Sequence, residues 1–255
     1  MILAAENVAY SYDGEGVIEG VSLEVDPGEV LAIVGPSGTG KTTLLRVLAL
    51  FDPPEEGTVL ADGEDVWARS EERRLPIRRR IGMVFQDRSL FSTSAARNAA
   101  YGLFVRRSWD ERLRSSLAAF LGRDGSPDGA YDALETVGLA EKADQHAGSL
   151  SAGEAQRVAF ARALATEPDI LLLDEFTSNL DPRNTAVLET AIDRARDRGI
   201  GVAMATHDMQ QARRIADRTA VLLDGTCIEC GRTERVFENP RDERARKFIA
   251  GELVY

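Results

Sequence analysis

The feature that most constrains this chain is a glycine-rich loop between a predicted strand and a predicted helix. Residues 30–34 have the continuous apolar pattern of a buried strand, and residues 43–48 have an amphipathic helical pattern. A loop in this context can wrap its backbone N–H groups around phosphate, and the helix that follows adds the positive end of its dipole. The sequence therefore predicts a phosphate-binding loop, or P-loop, and hence nucleotide binding. The loop residues are Gly35, Pro36, Ser37, Gly38, Thr39, Gly40, Lys41 and Thr42.

Two residues of this loop have predicted roles beyond cradling phosphate. Lys41 can reach the β- and γ-phosphates, and the Thr42 hydroxyl can bind Mg²⁺. The alternative is a chance glycine-rich turn, but average glycine usage makes the bare pattern an accident in only about one chain in a hundred. The position of the loop between strand and helix lowers that frequency further.

Composition limits the classes of protein to which the chain can belong. No stretch reaches the roughly 18 apolar residues of a membrane-spanning helix, and residues 1–6 lack the basic start and apolar run of a signal peptide. We therefore expect an intracellular protein. The net charge of −11 disfavours a broad nucleic-acid-binding surface. Lysine is rare beside arginine, which resembles proteins adapted to high salt; the alternative is an ordinary acidic surface encoded by a GC-rich genome.

Two cysteines, Cys227 and Cys230, follow a predicted turn at Asp224-Gly225. A structural zinc site needs four ligands, and neither histidine is close in sequence. Side chains three positions apart on a regular strand point to opposite faces. We therefore expect structural thiols rather than a metal or redox pair.

The order of predicted elements indicates an α/β fold with a small antiparallel sheet. Strand patterns at residues 2–4, 8–12 and 21–25 come before a turn at residues 26–29. Residues 89–166 are mostly helical in pattern, and we interpret them as an insertion in the α/β core. The clearest later elements are helices at 112–121 and 131–137 with a break at 122–129, strands at 170–173, 201–205 and 219–223, and helices at 183–198 and 209–216.

A second predicted site stands at the end of an apolar strand, where Asp174 and Glu175 follow residues 170–173. In a P-loop enzyme, a carboxylate at such a strand end can enter the Mg²⁺ shell. The next carboxylate can polarise a water molecule towards the γ-phosphate. Taken alone, the pattern is equally typical of a strand that runs into a solvated turn, but downstream of a P-loop we favour the catalytic interpretation.

Residues 150–157, Leu-Ser-Ala-Gly-Glu-Ala-Gln-Arg, resemble the signature sequence of the ATP-binding subunits of ABC transporters. The family places this segment at a helix N-terminus. Ser151 and the N–H groups around Gly153 then suit a phosphate of a nucleotide held by the opposite subunit. Ser151 with Glu154 three residues later also fits a helix capping box. Both roles can coexist, because capping and anion binding use the same helix end.

Further residues match the family's motifs in order, so the resemblance covers essentially the whole chain. Gln86 matches the Q-loop glutamine, Ser178–Asp181 match the D-loop, His207 matches the switch histidine, and Tyr12 matches an aromatic residue that stacks on adenine. A lone histidine or tyrosine is more often structural, but this order and spacing favour function. The resemblance implies catalysis by Glu175, His207 and Lys41, Mg²⁺ binding by Thr42, Gln86 and Asp174, and ATP contacts by Tyr12, Gly35, Pro36, Ser37, Gly38, Thr39, Gly40, Lys41, Thr42, Thr43, Gln86, Ser151, Gly153, Glu154 and Asp181.

The resemblance also implies the fold, which is a P-loop NTPase with a RecA-like α/β core, a small antiparallel β-subdomain and an inserted helical subdomain. We expect one ATP-binding domain over residues 1–255, with the core at 1–88 and 165–255 and the helical subdomain at 89–164. Three residues depart from the family pattern: Ala152 replaces a glycine, Glu154 a glutamine and Phe176 a proline. Alanine preserves a close backbone approach, whereas Glu154 adds negative charge near phosphate unless its side chain turns away. We expect these departures to reduce the tolerance of the site rather than to abolish its activity.

Within the family, the chain is most similar to importers. It has no fused membrane segment, no long coiled-coil insertion, no second cassette and no regulatory extension, so a separate membrane permease is implied. Residues 51–57, 98–103 and 248–255 are most similar to tungstate-type oxyanion importers. Phosphate importers are the near alternative, and a soluble ATP-driven clamp without a permease is less favoured. The implied partners are a second copy of the ATPase, the permease at the cytoplasmic face of the cell membrane and, indirectly, an extracellular solute-binding protein, but no nucleic acid.

The region from Gln86 to Tyr101 is the predicted contact with the permease. Phe91, Tyr101, Leu103 and Phe104 offer apolar groups in a short span, which suits a partner helix. The alternative is that these side chains pack the core of the insertion itself.

Overall fold

The computed structural model describes residues 1–87, 89–106 and 128–252. The chain divides into two compact units, each described by itself below. The predicted helix at 112–121, most of the break at 122–129 and the last three residues of segment 248–255 lie outside the described residues. The first unit consists of Met1–Gln86, Pro168–Phe176 and Ala195–Tyr255, and the second of Asp87–Glu167 and Thr177–Arg194.

A six-stranded sheet forms the centre of the first unit. Its strands, numbered in chain order and given in sheet order, are β10 (Thr226–Arg232), β9 (Arg218–Leu223), β3 (Val30–Val34), β8 (Gly201–Thr206), β7 (Ile170–Asp174) and β6 (Ile81–Val84). The strands from β9 to β6 are parallel, and β10 pairs antiparallel with β9 at one edge. Strands β3, β7 and β8 are buried along their whole length, as expected for a parallel sheet. The loops after β3, β6, β7 and β8 therefore leave the sheet at the same edge.

A second, four-stranded antiparallel sheet belongs to the same unit. Its order is β2 (Glu15–Val25), β1 (Leu3–Tyr12), β4 (Glu56–Ala61) and β5 (Glu64–Asp65). The predicted segments 2–4 and 8–12 are one strand, which continues through a register irregularity where Asn7 has a φ of 50°. The sequence predicts two strands here because that irregularity interrupts the alternation of apolar and polar residues. The sheet also takes in β4 and β5, which the sequence analysis did not identify.

One apolar core connects the two sheets with the helix that follows the P-loop. Buried residues from β1, β2 and β3, including Leu3, Val21 and Ile33, share it with Leu44 and Leu48 of that helix. The predicted α/β arrangement of this unit is therefore present. Its helices are α1 (Lys41–Leu48), α2 (Glu71–Arg78), α7 (Met209–Ile215), α8 (Thr233–Glu238) and α9 (Glu243–Ile249).

The two cysteines do not point to opposite faces of β10, so that prediction is wrong. Cys227 pairs with Leu222 whereas Glu229 pairs with Val221, so a register shift adds one residue to β10 between them. The extra residue restores Cys227 and Cys230 to the same face, where both pack against the apolar core.

The second unit is helical in its described part. In α3 (Ala95–Arg106) the small residues Ala95, Ala96 and Ala99 are buried, and a Cβ on Gly102 would lie 2.5 Å from the Thr166 side chain. Close packing of α3 against the chain after α5 (Ala152–Leu164) thus depends on small side chains. None of the described helices has the length and apolar character needed to span a bilayer. The helices are α3 (Ala95–Arg106), α4 (Asp128–Thr136), α5 (Ala152–Leu164) and α6 (Pro182–Asp197), the last of which continues into the first unit.

Candidate nucleotide-binding site

The P-loop links β3 to α1, and close backbone packing explains two of its glycines. A Cβ on Gly35 would lie 2.2 Å from the carbonyl oxygen of Leu222. Gly40 has a φ of 91°, and a Cβ there would lie 2.7 Å from the carbonyl oxygen of Val17. A side chain at either position would displace the loop from the sheet. Of the remaining predicted phosphate contacts, Ser37 and Gly38 form the exposed tip, while Thr39 and Thr43 are buried.

Lys41 is the first residue of α1, and its side chain folds back over the loop. Its ammonium group donates hydrogen bonds to the carbonyl oxygens of Gly35, at 2.9 Å, and Pro36, at 2.7 Å. Burial lowers the pKa of Lys41, and the carboxylates of Glu175 and Asp174 oppose that shift. The charge is thus held inside the curve of the loop, where a phosphate group would be bound.

Thr42 and Asp174, two of the predicted magnesium ligands, lie next to each other. The Thr42 hydroxyl donates a 3.0 Å hydrogen bond to the Asp174 carboxylate, which is only 4% exposed. Burial raises the pKa of Asp174, and the hydrogen bond from Thr42 partly offsets this. A buried carboxylate beside a hydroxyl is a pair of hard oxygen donors, which Mg²⁺ prefers. These residues therefore fit a magnesium ion.

Glu175 stands between a lysine and a histidine. One carboxylate oxygen lies 3.7 Å from the Lys41 ammonium nitrogen, and the other lies 3.3 Å from Nδ1 of His207. The backbone of Glu175 has a φ of 41°, in the left-handed region, and its N–H donates to the carbonyl oxygen of Ala205. This turn directs the side chain away from β7. Phe176, which departs from the family pattern, is fully buried.

Gln86 and Tyr12 complete the predicted residues of the first unit. Gln86 is exposed and comes two residues after β6, which pairs with β7, so it lies at the same sheet edge as Asp174. No hydrogen bond joins Gln86 to Thr42 or Asp174 in the part of the chain that is described. Tyr12 is 44% exposed, and its ring lies 5.0 Å from the Tyr10 ring in an edge-to-face arrangement.

The signature segment lies in the second unit and begins α5 with a complete capping box. The Ser151 hydroxyl accepts a hydrogen bond from the Glu154 N–H, and the Glu154 carboxylate accepts one from the Ser151 N–H at 2.9 Å. Lys142 donates to the second Glu154 oxygen at 2.5 Å. These bonds lower the pKa of Glu154 to about 2, the one from Lys142 most of all. The carboxylate is therefore turned back on its own helix and neutralised. Ala152, beside it, is exposed.

Gly153 and Asp181 are connected through one side chain, that of Asn184. A Cβ on Gly153 would lie 2.3 Å from the Asn184 amide, so no larger residue fits there without displacing it. The same amide donates to the Asp181 carboxylate, which also caps α6 by accepting the N–H groups of Arg183 and Asn184. The D-loop and the signature helix are thus fixed to each other within the second unit.

Two residues of this arrangement were missed by the sequence analysis. One feature of the sequence could have drawn attention to Lys142: it is among only three lysines in a chain where arginine supplies nearly all basic residues. A weaker feature could have drawn attention to Asn184, which lies three residues after a helix-capping aspartate. Neither signal identifies the partner, because both contacts join segments that are separate in sequence.

Known proteins resemble this chain along nearly its whole length. Residues 18–178 match the ABC transporter family. Over 253 residues, or 99% of this chain and 88% of the relative, the chain is 61% identical to a "probable anion import ATP-binding protein" of Haloferax volcanii. With the same coverage it is 64% identical to "phosphate import ATP-binding protein PstB 2" of Natronomonas pharaonis. The structure of the dimeric bacterial ABC transporter cassette MJ0796 has a TM-score of 0.75 and 30% identity over 91% of this chain and 98% of that chain.

Proposed function

Because the chain belongs to the ATP-binding subunits of ABC transporters, it is an ATPase, and we propose that its ATP hydrolysis powers import of an inorganic anion through a separate membrane permease. The predicted family, fold class and ATPase activity are confirmed by the family match and the relatives. The assignment of single residues to steps of the reaction is our proposal. It rests on the cluster formed by Lys41, Thr42, Asp174, Glu175 and His207.

Phosphoryl transfer to water depends on positioning and on neutralisation of charge. Lys41 and the backbone N–H groups of residues 37–42 bind the phosphates, with the α1 dipole adding positive potential. Glu175 accepts a hydrogen bond from the attacking water and draws its proton. His207, beside Glu175, holds the γ-phosphate and orients that carboxylate. The observation that best supports this proposal is the position of the Glu175 carboxylate. One of its oxygen atoms lies beside the Lys41 ammonium group, and the other lies beside His207.

Thr42 and Asp174 are the residues that would hold Mg²⁺, with Gln86 available at the same sheet edge. Bound there, the ion would neutralise phosphate charge that Lys41 alone leaves uncompensated. Adenine would stack on the ring of Tyr12, a residue that is 44% exposed.

We also propose that ATP is bound between two copies of the chain. Ser151 and the N–H groups around Gly153 begin α5, and the neutralised Glu154 leaves this helix end able to accept a phosphate. In the dimer, this helix end would meet the γ-phosphate of the nucleotide held by the partner's P-loop, with Asp181 nearby in the D-loop. The dimeric form of the related cassette supports this arrangement.

The transported solute is proposed to be a tetrahedral oxyanion. The two relatives above 60% identity are named for anion import and phosphate import, which favours phosphate over the tungstate expected from the sequence. The ATPase does not contact the solute, so its own residues do not select between the two. The chain can be reconstituted in vesicles with the permease and the binding protein, and uptake of labelled phosphate and labelled tungstate measured in parallel. The anion that is taken up identifies the substrate. ATP hydrolysis that responds to nucleic acid and not to the permease would instead favour a soluble clamp.

An exposed aromatic cluster in the second unit supports the proposed permease contact at the cytoplasmic side of the membrane. The rings of Phe91 and Tyr101 lie 4.2 Å apart, yet each remains 45% exposed. Phe104 and Val105 on α3 are also exposed, whereas Leu103 is half-buried. The Arg162 guanidinium lies over the Phe91 ring, 5.8 Å from its centroid. Aromatic side chains that stay this accessible suit an apolar helix of a partner.

The double variant Phe91→Asp/Tyr101→Asp tests this contact. ATP hydrolysis by the isolated chain should be unchanged, because neither residue belongs to the phosphate-handling cluster, while permease binding and uptake should be lost. Tyr131→Asp, which changes a similarly exposed residue on α4 of the same unit, is the matched control and should bind normally. Transport by the folded double variant would mean that the permease docks elsewhere.

A further inference from the structure

The pair Cys227 and Cys230 lies on β10, at the edge of the six-stranded sheet, and takes no part in the proposed ATP chemistry. Their side chains lie on the same face of β10 and pack against the same apolar core, and both residues are partly exposed. They are the two cysteines of the chain. We propose that this pair is a reversible oxidation site at which Cys227 and Cys230 form an intramolecular disulfide.

The bulge in β10 brings the two sulfur atoms together, and Glu229 anchors it. The side chain of Glu229, which is 7% exposed, points away from the cysteines and accepts hydrogen bonds from the Arg235 guanidinium and from the N–H groups of Arg241 and Asp242. Those bonds fix the backbone between the cysteines. Without the extra residue, positions 227 and 230 would face opposite sides of the strand and could not be bridged.

The surroundings distinguish the two thiols. Interaction with the Cys227 thiol lowers the pKa of Cys230, and the Arg218 guanidinium, 3.8 Å from the Cys230 sulfur atom, lowers it further. The same interaction between the two thiols, together with burial, raises the pKa of Cys227. Glu29 pairs with Arg218 at 3.1 Å and partly offsets its positive charge. Cys230 is therefore the thiolate that reacts first, and Cys227 is the resolving thiol.

The oxidant of this scheme is a peroxide, and the reaction balances in two steps. The Cys230 sulfur attacks one oxygen of hydrogen peroxide, the O–O bond breaks, and the departing hydroxide takes a proton to become water. The Cys227 sulfur then attacks the Cys230 sulfenic acid, the S–S bond forms, and the S–O bond breaks with release of a second water. Two electrons pass from the thiols to the peroxide, and a small dithiol reverses the reaction. A metal site is less favoured, because the described residues contain no group of three or more His, Cys, Asp or Glu side chains arranged for one.

Thiol counting on the unaltered chain tests the proposal directly. Purified protein is treated with hydrogen peroxide and alkylated under denaturing conditions, and its intact mass is measured by mass spectrometry. We expect a monomer that is lighter by its two thiol hydrogens, carries no alkyl group and regains two alkylation sites after dithiothreitol. Two thiols that remain alkylatable, a disulfide-linked dimer on a non-reducing gel, or a sulfinic acid without a disulfide would each overturn the proposal.

Single variants assign the order of reaction. Cys227→Ser should leave a Cys230 sulfenic acid that dimedone traps, whereas Cys230→Ser should react many times more slowly. Arg218→Ala should slow oxidation several-fold, while Arg218→Lys should retain most of the rate because it keeps the charge. Arg232→Ala, at the exposed cross-strand neighbour of Arg218, is the matched control and should react as the unaltered chain does. Dimedone labelling of Cys227 in preference to Cys230 would refute the assigned order.

Discussion

The contact between Lys142 and Glu154 makes a quantitative prediction about the signature helix. Hydrogen bonds to its carboxylate lower the pKa of Glu154 from its usual 4.5 to about 2. The bond from Lys142 contributes most, and the bond from the Ser151 N–H contributes next. One pKa unit corresponds to about 1.4 kcal/mol, so the whole shift would represent about 3 kcal/mol. Lys142 is 43% exposed, so solvent screens its part, and Ser151 supplies another part. We therefore expect Lys142 alone to stabilise the fold by about 1 kcal/mol.

The perturbation is Lys142→Met, which keeps the aliphatic stem and removes the charge. Urea unfolding near pH 7 should give a free energy of unfolding lower by about 1 kcal/mol, and the melting temperature should fall by about 2–4 °C. Because the pKa of Glu154 is lower in the folded state, its stabilisation is present above about pH 4.5. It is lost as the pH falls towards about 2. The difference between the variant and the unaltered chain should therefore shrink across that window.

A double-mutant cycle separates this ion pair from general effects of the substitution. Glu154→Gln keeps a capping-box partner for Ser151 but removes the charge, so adding Lys142→Met to it should cost little more. Lys247→Met, at an exposed i, i+4 pair with Glu243, is the control and should have a smaller effect. The reasoning is refuted if Lys142→Met has no effect near pH 7, or if its effect does not change with pH or with Glu154→Gln.

Three further predictions concern the site and the surface. Glu175→Gln should bind ATP but show no steady hydrolysis, and should accumulate as an ATP-loaded dimer in size-exclusion chromatography, since the amide keeps the shape and loses the charge; normal turnover would remove Glu175 from its proposed role. Gly35→Ala should lower the free energy of unfolding by roughly 1–3 kcal/mol and abolish nucleotide binding measured by calorimetry, because its Cβ would overlap the Leu222 carbonyl oxygen. The net charge of −11 predicts a higher melting temperature in molar KCl than in dilute buffer, and a flat or falling melting temperature would contradict salt adaptation.

Local patterns predicted the parts of the fold that depend on local chemistry. The P-loop follows a buried strand, Asp174 ends another, and the turn at residues 26–29 is closed by a hydrogen bond from the Glu29 N–H to the Asp26 carbonyl oxygen. Each of these depends on a few adjacent residues, such as glycines, an apolar run or a proline. The predicted helices at 131–137 and 183–198 agree with α4 and α6 to within a few residues.

The features that sequence reasoning missed depend on contacts between distant segments. The bulge in β10 is held by residues in and after α8, so the spacing of Cys227 and Cys230 alone suggests the wrong face. The effect of Glu154 could not be judged without Lys142, which lies in an earlier turn and neutralises it. The antiparallel sheet likewise takes in β4 and β5 from beyond α1, where a strand has no local signal that assigns it to β1 rather than to the core.

The strand order of the six-stranded sheet has a consequence for folding of the chain during its synthesis on the ribosome. Within the described residues, β3, which ends in the P-loop, has β8 and β9 as its partners, and these are residues 201–206 and 218–223. The antiparallel strands β1, β2, β4 and β5, by contrast, find their partners within the first 65 residues. Synthesis runs from the N-terminus, so the antiparallel sheet can assemble on the nascent chain while β3 waits for most of the protein to emerge. A prematurely terminated chain that ends before β8 therefore carries the complete P-loop sequence but cannot present it to ATP.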